Sequence, residues 1–130
     1  MRWLTVAVAV LSFAVLPAMA QDPAKVDPDH YKVEFENEQV RVIRITYGPG
    51  EKSVMHDHPD GVAVFLTPHR VKFLLPDGTS QEVDGTAGQA GWTPAGPHLP
   101  ENVGDQPLEL ILVELKAAKG SDSGDDKPAP

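Results

Sequence analysis

The chain has 130 residues, 19 acidic against 11 basic side chains, a net charge of −8 and no cysteine. That length suits one domain, and a surface this acidic, with no basic cluster to offset it, argues against nucleic acid or anionic lipid as partner. With no thiols to cross-link, the fold must rest on core burial, helped at most by a metal ion.

The chain opens on an export pattern. Arg2 gives a positive start, Trp3 to Leu16 is apolar apart from Thr5 and Ser12, and Pro17 leads into Ala18-Met19-Ala20. This predicts a signal peptide over residues 1–20, cut after Ala20, because the apolar run falls short of the ~20 residues a membrane-spanning helix needs. The mature chain is therefore expected to be periplasmic or secreted, with no membrane contact after cleavage. Residues 21–32 are polar, carry two prolines and read as a tether or an edge segment.

Residues 33–115 read as strands. Val40 to Tyr47 (VRVIRITY) is β-branched and stops at Gly48-Pro49-Gly50. Val54 to His58 ends at Pro59-Asp60-Gly61, and Gly61 to Thr67 is apolar throughout, as expected of a strand covered on both faces. Val71 to Leu75 runs into the turn Pro76-Asp77-Gly78, and Ser80 to Val83 pairs back as a hairpin. Gly91 to Thr93 is a short strand around Trp92, and Leu108 to Leu115 (LELILVEL) is the last. The doublets Val42-Ile43 and Ile111-Leu112 break strict alternation, through a bulge or through cover on both faces. Pro or Gly at intervals of about 8–12 residues, without a helical period, predicts an all-β sandwich or barrel. Closure would remove free edges from such apolar strands. Residues 116–130 hold no large apolar side chain and are expected to form a disordered tail, acidic at Asp122, Asp125 and Asp126.

One spacing carries chemistry. In His56-Asp57-His58 the two histidines stand at i and i+2, which on a strand share a face. Neutral imidazole is the commonest side-chain ligand for zinc, copper, nickel and iron. A third donor has to come from elsewhere, and His98 in PAGPHLPEN is the candidate. Asp57 alternates to the other face, while Asp60 in the turn and Glu101 beyond His98 are weaker candidates. His30 and His69 read as solvated, Glu109 and Glu114 as facing solvent, and Trp92 as core or, with Phe73, as cavity lining.

Gly50 to His58 (GEKSVMHDH) sets a glycine, five residues and His-x-His in order, and resembles the first motif of the cupins. Gly88 to Asn102 (GQAGWTPAGPHLPEN) sets a glycine, five residues, Pro-x-Gly, a histidine, three residues and asparagine, and resembles the second. The resemblance is to a small, exported, single-domain cupin. It implies an all-β fold, a small β-barrel or double-stranded β-helix (jelly roll). Matched position by position, the family's metal-binding histidines fall on His56, His58 and His98, its glycines on Gly50, Gly88 and Gly96, its proline on Pro94 and its asparagine on Asn102. Two departures stand out. Pro97 alone separates Gly96 from His98, where the family usually has two residues. The glutamate usual four or five positions after the second histidine is replaced by Val62 and Ala63.

The resemblance implies one divalent metal ion (Fe, Mn, Zn, Ni or Cu) on three histidines, with positions open to a small-molecule ligand or substrate, and a homodimer. Two functions fit. One is a small metal-dependent enzyme, dioxygenase- or isomerase-like, acting on a small acidic or hydroxylated molecule. The other is a non-catalytic metal- or small-ligand-binding module, which the lack of a long lid insertion and of an evident general base favours slightly. No catalytic residue is assigned.

Overall fold

A computed structural model describes residues 21–118; the expected signal peptide and the expected tail beyond Ala118 lie outside the described residues. Among the described residues the chain forms one helical turn, α1 (Pro23–Val26), and nine strands: β1 (Tyr31–Glu36), β2 (Val40–Tyr47), β3 (His56–His58), β4 (Gly61–Phe65), β5 (His69–Leu74), β6 (Ser80–Gly85), β7 (Ala90–Thr93), β8 (Gly96–Asn102) and β9 (Leu108–Leu115). They pair antiparallel into a five-stranded sheet, β1-β2-β9-β4-β7, and a four-stranded sheet, β3-β8-β5-β6. This is the expected all-β jelly roll.

Period-two alternation builds the interior. Ile43, Ile45 and Tyr47 of β2 and Leu108 and Leu112 of β9 are buried, and they close on Tyr31, Ala63 and Val71. The two doublets need no bulge, because β2 and β9 keep unbroken register from Val40↔Leu115 to Tyr47↔Leu108. The irregularity falls in β1 instead, between Val33 and Phe35. Beyond it, directly paired residues run across the outer face of the five-stranded sheet as Phe35, Val42, Val113, Val62 and Trp92. Trp92, at 59% exposed, is therefore neither core nor cavity lining; its partner Val62 is on the outer side of β4.

The structure also decides the reading of residues 21–32. Of the tether and the edge segment, the second holds, since these residues lead into β1 at the edge of the five-stranded sheet. Asp22 caps α1 by accepting from the Ala24 N–H at 3.0 Å, with Pro23 in the first helical turn, where the absent N–H costs nothing. Pro23 and Tyr31 are both buried. Most of Pro94–Asn102 forms β8 despite Pro97 and Pro100. Proline removes only the donor half of a ladder position; the Pro100 carbonyl still accepts from Ser53 N–H at 3.0 Å. Asn102 then pins the end of β8. Its amide donates to the carbonyls of Gly48 (3.1 Å) and Gln106 (2.8 Å), and its Oδ1 accepts from the Gly104 N–H.

Gly61 opens β4 opposite Glu114 on one side and Thr93 on the other. A Cβ there would lie 2.6 Å from the Val113 carbonyl oxygen, a backbone atom that cannot swing aside. Gly61→Ala is expected to cost about 1–3 kcal/mol, the usual range for overpacking. The urea midpoint, at unchanged slope, measures it.

Candidate metal centre

β3 is short and lies antiparallel to β8 in the register His56↔His98, Asp57↔Pro97 and His58↔Gly96. His56 and His98 are therefore direct cross-strand neighbours, and His58 joins them on the same face by the i, i+2 rule. The structure brings all three expected histidines together, with one nitrogen from each lying within 4.8 Å of the others. His56 and His58 are buried, and His98 is half-buried with its ring 5.0 Å from that of Phe73.

Hydrogen bonds fix which nitrogens face inward. His56 Nδ1 donates to the Val54 carbonyl at 2.8 Å, and His58 Nδ1 donates to Glu114 Oε1 at 2.6 Å. Both Nδ1 atoms are thus engaged on the far side of their rings, and the two Nε2 atoms face each other at 3.0 Å. Two neutral rings so placed would set lone pair against lone pair, which a cation between or beside them relieves. An imidazole whose far N–H is held by a carbonyl or a carboxylate is the usual arrangement of a metal-binding histidine. Burial first, and then the neighbouring His58, push His56 down to about 4. Burial, with His58 and His56 beside it, pushes His98 down to about 3. Both rings are neutral at pH 7, as a metal requires. The residues fit a divalent ion.

Glu114 was expected to face solvent and is instead buried. Its Oε2 accepts from Arg41 Nε at 2.8 Å, and the two outer nitrogens of Arg41 reach Asp22 at 2.8 and 2.9 Å. Burial alone would raise the Glu114 pKa, but His58 and Arg41 hold it below the ordinary carboxylate value. Its parity was readable, since Leu108, Leu112 and Glu114 fall on one face of β9.

No acid replaces the missing family glutamate from β4, where Val62 is on the outer side and Ala63 is a buried methyl. Asp60 is engaged by the Ala95 N–H at 2.7 Å and Glu101 by Lys72 at 3.3 Å, and neither joins the histidine group. A residue the sequence did not flag does reach the histidines. Tyr31, at the start of β1, puts its hydroxyl 3.1 Å from His56 Nε2 and 2.6 Å from the Tyr47 hydroxyl.

The other two histidines are not solvated. His69 opens β5 on the same face as Val71, is buried, and stacks on Phe65 with ring centroids 3.4 Å apart. His30 lies between Asp27 and Glu51, at 2.9 Å from each, and stacks on Tyr47. Burial would lower the His30 pKa, but the two carboxylates outweigh it and raise the value above 6.5. A raised pKa stabilises the fold below the unfolded value and loses that contribution as pH rises through the folded one. An NMR titration is expected to place His30 above 6.5 in the wild type and lower in Asp27→Asn; a wild-type midpoint at or below 6.5 contradicts this pairing.

A groove of about 730 Å³, lined by Arg41, Asp57, His58, Gly96, Glu114 and Lys116 among others, leads from solvent to the His58 side of the cluster.

No protein-family model matches the chain, and no curated protein matches it in sequence. Solved structures do. A cupin domain from Bordetella pertussis Tohama I superposes with a TM-score of 0.62 at 29% identity, over 67% of this chain and 92% of that one. The chain has the fold of a small cupin. A protein with a double-stranded β-helix domain from Klebsiella pneumoniae (TM-score 0.55, 19% identity, 69% of this chain and 78% of that one) shares the fold. So does a cupin-superfamily protein from Desulfitobacterium hafniense (TM-score 0.52, 12% identity, 67% and 76%). Within that fold, β4 of this chain carries no acid and Glu114 of β9 supplies a carboxylate to the far side of His58.

Proposed function

We propose that this cupin holds one divalent metal ion on His56, His58 and His98 and presents it to a small acidic or hydroxylated molecule outside the cytoplasm. The observation that carries the reading is the pair of Nε2 atoms 3.0 Å apart, each ring fixed by a hydrogen bond from the Nδ1 on its opposite side. A bound ion would supply Lewis acidity, polarising an oxygen of the ligand. The protein's own groups do the rest. Val54 and Glu114 orient two of the rings, Arg41 holds Glu114 in place, and Phe73 packs against the third. Three neutral imidazoles leave the charge of an ion uncancelled by its direct ligands, which favours an anionic or chelating partner. The ion belongs to the group Fe, Mn, Zn, Ni or Cu, whose preference for imidazole these donors share.

Binding without turnover is favoured over a dioxygenase- or isomerase-like reaction by one observation. Glu114, the carboxylate nearest the cluster among the described residues, is committed on one oxygen to His58 and on the other to Arg41, and so is not a free proton acceptor. The expected cut after Ala20 is compatible with the fold's first residues. The Gln21 carbonyl accepts from Asp57 N–H at 2.9 Å, and Asp22 both caps α1 and pairs with Arg41, so a cut after Ala20 leaves every one of these bonds intact. N-terminal sequencing of protein recovered outside the cytoplasm tests that cut.

Elemental analysis of the protein matured in its own compartment, beside His98→Ala prepared in the same way, tests the centre. About one ion per wild-type chain and a near-complete loss in the variant are expected. Equal trace metal in both sinks the site.

A further inference from the structure

The geometry points to Tyr31 as a fourth protein donor at this centre, its phenolic oxygen facing the same ion as the three histidines. This rests on the metal-binding reading above and adds to it a ligand from a different strand and a different element class: oxygen rather than nitrogen.

The argument is one of distance. Two donors about 2.0–2.2 Å from one ion, in neighbouring positions around it, lie about 3.0–3.5 Å apart. His56 and His58 meet this at 3.0 Å between their Nε2 atoms, and the Tyr31 hydroxyl meets it at 3.1 Å from His56 Nε2. The phenol comes from β1 in the five-stranded sheet and reaches histidines held by β3 in the other. Its ring centroid lies 4.9 Å from that of His56 and 5.9 Å from that of His58. It is buried, so its oxygen has no recourse to bulk water.

Hydrogen bonding agrees. With the cluster empty, the Tyr31 O–H donates to the lone pair of His56 Nε2. Once that lone pair is given to an ion, the hydroxyl needs another acceptor, and Tyr47 Oη stands 2.6 Å away in a pair where either oxygen can donate. The Tyr31 proton then turns to Tyr47, and a lone pair of the Tyr31 oxygen is left facing the ion. The position also answers the missing acid on β4: an oxygen donor reaches the cluster from β1 instead.

The test uses colour and affinity, not turnover. Metal-stripped wild-type chain, Tyr31→Phe and Tyr47→Phe are each loaded with ferric ion, and visible absorption is recorded; zinc affinity of the wild type and Tyr31→Phe is measured by competition with a chelator. Phenylalanine at 31 preserves the buried ring, and circular dichroism confirms the fold. Ferric ion, a stronger acid than zinc, is expected to displace the Tyr31 phenol proton to solvent, so a visible charge-transfer band from the phenolate oxygen to iron should appear in wild type and Tyr47→Phe and be absent in Tyr31→Phe. Zinc affinity should fall about 10–100-fold in Tyr31→Phe, the range seen when one group supporting a metal site is removed. A wild type that binds iron without the band overturns the proposal even if zinc affinity falls in Tyr31→Phe, since Tyr31 then acts only through its hydrogen bond to His56. A band that survives Tyr31→Phe but not Tyr47→Phe also overturns it. A wild type that takes up neither ion overturns the three-histidine reading itself, and this inference with it.

Discussion

Replacing Glu114 with alanine is expected to destabilise the metal-free protein by about 3–5 kcal/mol, the cost of breaking one side of a buried ion pair. The magnitude follows from what is stranded. Arg41 loses its Nε acceptor and keeps Asp22 alone, while the buried His58 Nδ1 loses its partner. Glu114→Gln, which keeps the shape and one acceptor, is expected to lose less. The effect has a pH signature. The Glu114 carboxyl sits below its ordinary 4.5, so its contribution is present above that unfolded value and fades as pH falls through the folded one. Wild type and Glu114→Ala should therefore converge in acid. Chemical denaturation at pH 7 and near pH 3 measures both limbs; a gap that stays constant with pH contradicts a charged Glu114.

The second large effect is on adding the ion. Free metal at about a thousand times its dissociation constant stabilises a native-state binder by about 4 kcal/mol. For a folded unit of this size that raises the melting temperature by about 16 °C or more. His56→Ala should show no such rise, and its own metal-free stability separates loss of binding from loss of fold. Calorimetric scans with and without a chelator measure it. A wild type whose melting temperature ignores every one of the five candidate metals contradicts the centre.

Much of this was legible in the chain. β2 and β9 fall where their β-branched and apolar runs place them, because each is bounded by strong turn residues and long enough to show its period. The three histidines were legible because His-x-His is a statement about one face of one strand, and the second motif supplied the partner. What escaped depends on which neighbour a strand meets. Glu114 looks like one more exposed acid until β9 is set beside Arg41 and across from His58, which is 56 positions earlier in the chain. Tyr31 stands at the end of a polar stretch and meets His56, 25 positions later, only across the interior. Trp92 was misread for the opposite reason: its size suggested burial, while its register with Val62 puts it on the outer face. In β8 the prolines hid a strand whose carbonyls still pair.

The cross-strand pairing of His56 with His98 bears on how long an ion stays. β3 is held to β8 over only three residue pairs, and two of the three histidines project from it. A ladder that short opens by local fluctuation far more often than the whole domain unfolds. Such an opening carries His56 and His58 away from His98 together. Exchange of a bound ion would then follow the opening of β3 rather than global unfolding, so the centre can combine tight equilibrium binding with release on the timescale of one small strand.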